Sequence, residues 1–313
     1  MTTFSWNLVG DLRFMLEFEF IRNAFEAGTI IAIVAGVVSY LVVLRRSSFA
    51  SHALGEVGFS GAAGAVLVGV APIFGLLLFT TVGGTTMALL GKKAATRDVE
   101  IGTVLAFTLA LGVLFLSFYK GYATAAYSIL FGEIVGISNG QVLFTLEASI
   151  LVLVVLGLLY RQLLFASLDE DVAEAKGMHT LLLGVVFMLA LAVAVSIAVT
   201  VIGTLLIFAL TVTPAAIAIR LSKRPLFAVL IAVVVALGAT WAGIFIAFYA
   251  VEPTSFFIVA IVFGTYVLVR VIPLIPPLFK RRVPRPASQF TPVSPPPVPA
   301  EPLHDSSADP GRA

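Results

Sequence analysis

Two side chains that can hold a metal ion or carry a proton, His52 and Glu56, stand four residues apart in the stretch SSFASHALGEVGFSGAAGAVLVG, residues 47–69. Their surroundings are small or apolar, apart from the arginine pair Arg45 and Arg46 immediately before. On an α-helix a spacing of four puts both groups on one face. An imidazole nitrogen with a carboxylate oxygen suits borderline divalent cations such as zinc or manganese. Two ligands do not complete a site, whereas a symmetric pair of subunits around a central path would supply two imidazoles and two carboxylates. The same spacing also allows an intrahelical His–Glu hydrogen bond with no ligand, and it leaves both readings open.

Other charged groups lie apart from this pair. Glu147, in GQVLFTLEASILVL, is a second carboxylate inside an apolar run, and Glu133 sits in the short segment YATAAYSILFGEIVGI, residues 122–137. Both are candidate gate residues or supports for the pair. The stretch SLDEDVAEAKGMHT, residues 167–180, reads as a short charged helix: Asp169, Glu170 and Asp171 sit where a helix would start and Gly177 where it would end.

The elements that must carry these residues are membrane spans. The 313-residue chain is 60% hydrophobic and 12% charged, which sets it apart from soluble domains. Its mean hydropathy is +1.09. Apolar runs of about 18 or more residues are spanning-helix candidates. Backbone polar groups in lipid must be satisfied internally, so repeated runs imply an all-α, polytopic helical bundle. Eight or nine spans are expected, near 27–44, 53–71, 73–91, 101–119, 142–160, 180–200, 203–219, 226–249 and 255–275. Alternate connections hold the basic residues: Arg45 and Arg46; Lys92, Lys93 and Arg97; Arg161 and Lys176; Arg220, Lys223 and Arg224; Lys280, Arg281, Arg282 and Arg285. Positive charge favours the cytoplasmic side, so the N-terminus is expected outside and the C-terminus inside.

Three segments depart from simple spans. Residues 1–26 hold an amphipathic stretch, 11–26, expected on the outer surface or extending the first span. The 122–137 segment is expected to be re-entrant or interfacial. Residues 283–313 are rich in Pro and Ser and read as a disordered cytoplasmic tail, leaving 27–282 as the transmembrane domain. The absence of cysteine excludes disulfides and thiolate metal sites. A net charge of +2 is too small and scattered for nucleic-acid binding. The first 26 residues, with Asp11, Glu17, Glu19 and Glu26, do not read as a cleavable signal peptide.

Within the span carrying the pair, Gly55, Gly58, Gly61 and Gly64 recur every third residue. Small residues let helices approach closely in a membrane. Because a turn holds about 3.6 residues, this repeat drifts around the helix, which is therefore expected to be crowded on several sides. Pro214, in FALTVTPAAIAIR, should loosen its helix one turn earlier, with Thr211 and Thr213 near enough to compensate.

These stretches resemble the membrane permease subunits of bacterial ATP-binding-cassette importers for zinc, manganese or iron. VLRRSSFASHALGEVGFSG follows the family frame VLRR-x-SF-x-x-D-A-L-S-H-A-x-L-P-G. RDVEIGTVLAFTLALGVLFLS, LFGEIVGIS, SLDEDVAEAKGMHT and ALTVTPAAIAIRL resemble four further family segments in the same order. The family's Asp falls at His52 and its His at Glu56, so both donor types are present in reversed order; its Ser and Pro fall at Gly55 and Ser60.

The resemblance implies a homodimeric permease, similar in architecture to the cobalamin and siderophore importers, in the bacterial cytoplasmic membrane. His52 and Glu56 would form the metal site. The 167–180 helix, with Asp169, Asp171, Glu174 and Gly177, would couple to a cytoplasmic ATPase subunit. An extracytoplasmic metal-binding protein would deliver zinc or manganese, and the partner would use ATP. The chain has no G-x-x-x-x-G-K-[ST] phosphate loop and no intrinsic cofactor is expected. Two other classes compete: a standalone proton-coupled carrier or exporter, and a membrane metalloenzyme. The second would need a third protein ligand, and the remaining histidines, His179 and His304, fall in a loop and the tail.

Overall fold

A computed structural model describes residues 8–91, 97–119, 132, 136–250 and 253–271. Glu133, all of segment 122–137 but residues 132, 136 and 137, and the tail from 283 lie outside the described residues. The described chain is helical: α1 (Leu8–Met15), α2 (Glu19–Leu44), α3 (Ser48–Leu67), α4 (Pro72–Leu90), α5 (Arg97–Phe118), α6 (Asn139–Leu168), α7 (Glu170–Ala175), α8 (Thr180–Ile202), α9 (Thr204–Leu221), α10 (Pro225–Ala250) and α11 (Thr254–Val271). Seven of these, α2, α4, α5, α6, α8, α10 and α11, are long and apolar enough to cross a membrane. α3 is of membrane length but less apolar, and the described apolar stretch of α9, Leu206–Leu221, is shorter.

The amphipathic N-terminal stretch divides in two. A break at residues 16–18 ends α1, and Glu19–Glu26 form the first turns of the spanning helix α2, so the boundary expected at 27 falls inside a helix. Asp11 of α1 bonds Tyr249 of α10, which ties the short helix to the bundle. At the other end of α2, Arg46 N–H donates to Val43 O (3.2 Å) and Ser47 N–H to Val42 O (2.8 Å), a Schellman cap. Arg46 takes the left-handed position usually given to glycine, with φ 53°. A side chain there costs roughly 1 kcal/mol.

The bundle has α2 and α8 at its buried centre, while α5 and α11 lie at the rim. α3 packs against α4, α5, α8 and α9. The glycine repeat explains how one helix meets so many. A Cβ on Gly55 would press on Ile207 of α9 at 3.3 Å, and one on Gly58 on Leu76 of α4 at 2.8 Å. One on Gly64 would meet the Phe115 ring of α5 at 3.0 Å. At Gly61 the backbones of α3 and α4 touch, Gly61 lying directly on Gly75. The drifting period spreads small residues over three interfaces.

Hydroxyl pairs fix the register between these helices. Thr80 of α4 and Ser196 of α8 share a buried hydrogen bond of 2.7 Å, and Ser51 of α3 donates to Thr211 of α9 at 2.9 Å. Such bonds contribute on average only about 0.6 kcal/mol in a membrane, so their main effect is to select one alignment. Thr211 also donates to Ile207 O (2.9 Å), leaving Leu210 O, the carbonyl freed by Pro214, to other partners. Thr211 therefore joins α9 to α3, where the sequence suggested backbone repair around the proline.

Candidate functional site

His52 and Glu56 occupy one side of α3, as their spacing requires. Both are half-buried, and with exposed Phe49 they form the open stripe on the half of this helix nearer the arginine pair. The stripe ends at Glu56, because residues 57–63 are all buried. Gly112 of α5 helps close it: a Cβ there would meet Ser60 Oγ at 2.6 Å. The pair thus sits where the partly exposed stripe of α3 gives way to its buried stretch.

Among the described residues, no hydrogen bond or ion pair engages the side chain of either His52 or Glu56, and none joins them to each other. The recorded neighbour of the imidazole is the Phe208 ring of α9, edge-on, with centroids 5.2 Å apart. Ser60 Oγ donates to the Glu56 backbone carbonyl at 3.3 Å and leaves the carboxylate free. An internal His–Glu bond, the simpler reading of the spacing, is therefore absent. A half-buried carboxylate in a spanning helix is costly without a counter-charge. No group of three or more His, Cys, Asp or Glu side chains that could hold a metal ion occurs among the described residues.

Glu147 does not join this pair. It is exposed on α6, on a face with Leu143, Ile150, Leu151 and Val154, and α6 packs chiefly on α2 and α8. Sequence reasoning passed over Phe208 and the first residue of α9, Thr204, whose hydroxyl is buried without a partner. The signal available was the TVIG–TLLIF junction, where a glycine divides two apolar runs.

The short charged helix forms as its residues dictate. Asp169 caps α7, its Oδ1 accepting from Val172 N–H at 3.0 Å. Gly177, with φ 79°, closes the other end: its N–H donates to Glu174 O (2.8 Å) and Met178 N–H to Ala173 O (3.1 Å). Glu174 Oε1 accepts from Thr180 Oγ1 (2.5 Å), and Lys176 lies 4.8 Å from the Phe165 ring centre, tying α7 to α8 and α6. Ala173 is buried beneath it, while Asp171, Val172 and Glu174 face outward, with Leu168 beside them 72% exposed. Against α7 a cavity of about 420 Å³ is lined by Arg45, Arg46, Asp98, Ser167 and Glu170.

The profile of the ABC 3 transport family matches residues 17–272, which include α2 through α11 and both of these features. The chain belongs to the ABC 3 transport family. It is a multi-pass subunit of the cytoplasmic membrane and transports without an ATPase site of its own. Membership decides against the standalone carrier and the metalloenzyme.

Relatives carry more specific names. The manganese import system permease protein ScaB of Streptococcus gordonii is 29% identical over 233 residues, 74% of this chain and 84% of that protein. The manganese transport system membrane protein MntC of Listeria monocytogenes is 28% identical over 211 residues, 67% of this chain and 75% of its own. Among solved structures, PsaBC from Streptococcus pneumoniae in complex with Fab superposes with a TM-score of 0.76 at 24% identity, covering 85% of this chain and 96% of that one. At that identity the likeness shows a shared fold.

Proposed function

We propose that this chain is the permease of an ATP-driven importer of a divalent cation, with manganese the preferred cargo and zinc the competitor. The observation that carries the reading is the pair His52 and Glu56. It is half-buried on the open stripe of an otherwise enclosed helix, with no hydrogen-bond partner among the described residues. Two copies facing across a twofold axis would bring together two imidazoles and two carboxylates. The two negative charges match one divalent cation, so the loaded site would be electroneutral in a region where isolated charge is expensive. Empty, the same carboxylates would repel, which favours binding of a cation between them. Oxygen and imidazole donors suit manganese, and the names of the relatives point the same way. Zinc accepts the same ligands, so the choice between the two is made by geometry. An extracytoplasmic binding protein would supply the cation from outside.

α7 is the proposed contact for the ATPase. Capped at both ends and tied to α6 and α8, it can pass movement to α8 with little bending. Its docking surface would be Asp171, Val172 and Glu174 with neighbouring Leu168; Asp169 and Gly177 hold its shape.

The reading is tested with the reconstituted permease–ATPase complex in proteoliposomes. ATP-dependent uptake of radiolabelled manganese is expected, with zinc competing and magnesium inert at equal concentration. Uptake that persists without ATP or the ATPase would overturn it.

The contact at α7 makes a separate prediction. Val172→Asp puts a charge at the centre of the outward face and leaves the capping residues Asp169 and Gly177 in place. It should lower ATP-driven uptake about tenfold or more, the loss of one interface contact of roughly 1.4 kcal/mol or larger. Basal ATPase activity of the isolated partner and thermal stability of the permease should not change. Unaltered uptake would place the docking surface elsewhere.

A further inference from the structure

α9 runs antiparallel to α3, and their contacts fix the alignment: Ser51 meets Thr211, and the His52 ring meets Phe208. One turn further along α3 and one turn back along α9, the same register sets Glu56 level with Thr204. A contact at Gly55, the residue before Glu56, supports this. A Cβ there would lie 3.6 Å from the Thr204 carbonyl oxygen. The site pair, spaced by four, therefore stands level with a second pair spaced by four on the neighbouring helix.

Thr204 is unusual among the hydroxyls of this contact. It is the first residue of α9, directly after Gly203, whose φ of 91° and ψ of 160° are open essentially to glycine. Its side chain is 2% exposed, and its hydroxyl has no hydrogen-bond partner among the described residues. The other buried hydroxyls of α3 and α9 are all engaged: Ser51 with Thr211, Thr211 with Ile207 O, and Ser60 with Glu56 O. A buried donor left unmade is destabilising, and a valine of the same shape would remove the penalty. The hydroxyl at the level of a carboxylate that also lacks a partner suggests that the two serve each other when the site is loaded.

We propose that Thr204 and Phe208 are positioning residues for the cation pair: the Thr204 hydroxyl donates to the Glu56 carboxylate, and the Phe208 ring holds the plane of the His52 imidazole. This rests on the reading that His52 and Glu56 are the cation site. A hydroxyl bonded to one carboxylate oxygen leaves the other for the cation and restricts its rotation. The edge-on ring prevents the imidazole from folding back against α9. The Ser51–Thr211 bond, one turn toward the cytoplasm, keeps the two pairs opposite each other. Selectivity would then be set partly by a helix that contributes no ligand.

The test uses the reconstituted permease–ATPase complex and the manganese ion itself. Thr204→Val keeps the side-chain shape and removes the hydroxyl, Thr204→Ser keeps the hydroxyl, and Phe208→Leu keeps apolar bulk without the ring. Thr204→Val should raise the KM for manganese about tenfold with little change in maximal rate, and Thr204→Ser should recover most of that loss. Thermal stability of Thr204→Val should equal or exceed that of the unmodified chain, because an unmade donor has gone. Phe208→Leu should also raise the KM and should change the ratio of manganese to zinc uptake. A Thr204→Val chain with unaltered KM, or one that loses stability and is not rescued by serine, overturns the proposal. Glu56→Gln is measured alongside. If it transports normally, the site reading itself falls; if it is inactive while Thr204→Val is normal, only the positioning role falls.

Discussion

Glu56→Gln is expected to abolish manganese uptake while the permease still folds, dimerises and binds its ATPase. Glutamine preserves the size of the side chain and its capacity to hydrogen-bond, and removes only the charge. If Glu56 were a packing partner, the change would be nearly silent, because its carboxylate makes no hydrogen bond among the described residues. Even an ordinary structural hydrogen bond would account for only about 1 kcal/mol. A cation site responds differently, since each dimer loses two charges. At about 1.5–3 kcal/mol for each charged contact, the pair amounts to a loss of more than roughly a hundredfold in affinity. His52→Ala should behave similarly by deleting two imidazoles. Size-exclusion chromatography of the complex separates loss of transport from loss of assembly, and wild-type uptake by Glu56→Gln would remove this pair from the path.

Gly61→Ala should be among the most damaging methyls that can be added to this bundle. The added Cβ would fall on the carbonyl of Gly75, and a Cβ on Gly75 would fall on the carbonyl of Gly61, so both obstacles are backbone with no rotamer to yield. α3 and α4 would have to separate along their whole contact. Overpacking of ordinary side chains costs about 1–3 kcal/mol, and with rigid backbone on both sides the upper end or beyond is expected. The result should be a much lower melting temperature in detergent and poor membrane yield. By contrast Gly157→Ala on α6, where a Cβ meets nothing within 4 Å, should be tolerated and serves as the control. The double substitution of Gly61 and Gly75 should cost less than the sum, because once the helices have parted the second methyl meets less resistance.

Much of the bundle could be read from the chain alone, since long apolar runs have few alternatives in a membrane. Each of the nine expected spans corresponds to a helix, and most differences lie at the ends. α6 continues to Leu168, well past the expected 160, because Arg161 and Ser167 extend a helix beyond the apolar core. The cytoplasmic helix was legible nearly to the residue, since capping is local: Asp169 and Gly177 act on backbone groups a few positions away. The candidate site was legible only as a choice between a ligand pair and an internal hydrogen bond. That the internal bond is not made among the described residues is a three-dimensional fact, which spacing alone does not carry. Contacts such as Ser51–Thr211 join residues 160 apart and leave no periodic trace in the sequence. Phe208 and Thr204 were passed over for the same reason: each is unremarkable beside its neighbours and matters only through what lies across the interface.

The composition of α3 also bears on how the protein is made. This helix carries a histidine, a glutamate and four glycines in 20 residues, and it lacks the sustained apolarity of the seven clear spans. Released singly from a translocon, it would partition poorly into lipid, where a central carboxylate alone opposes insertion by about 2.5–3.5 kcal/mol. Its successor α4 is strongly apolar, follows after a four-residue turn at Val68–Ala71, and matches it glycine to glycine. The two helices would then leave the channel as one hairpin, with the backbone contact at Gly61 and Gly75 already made before either meets the bilayer. Biogenesis of the transport path would thus depend on the order of synthesis: the span bearing the ionisable pair is accepted by the membrane on the strength of the span that comes next.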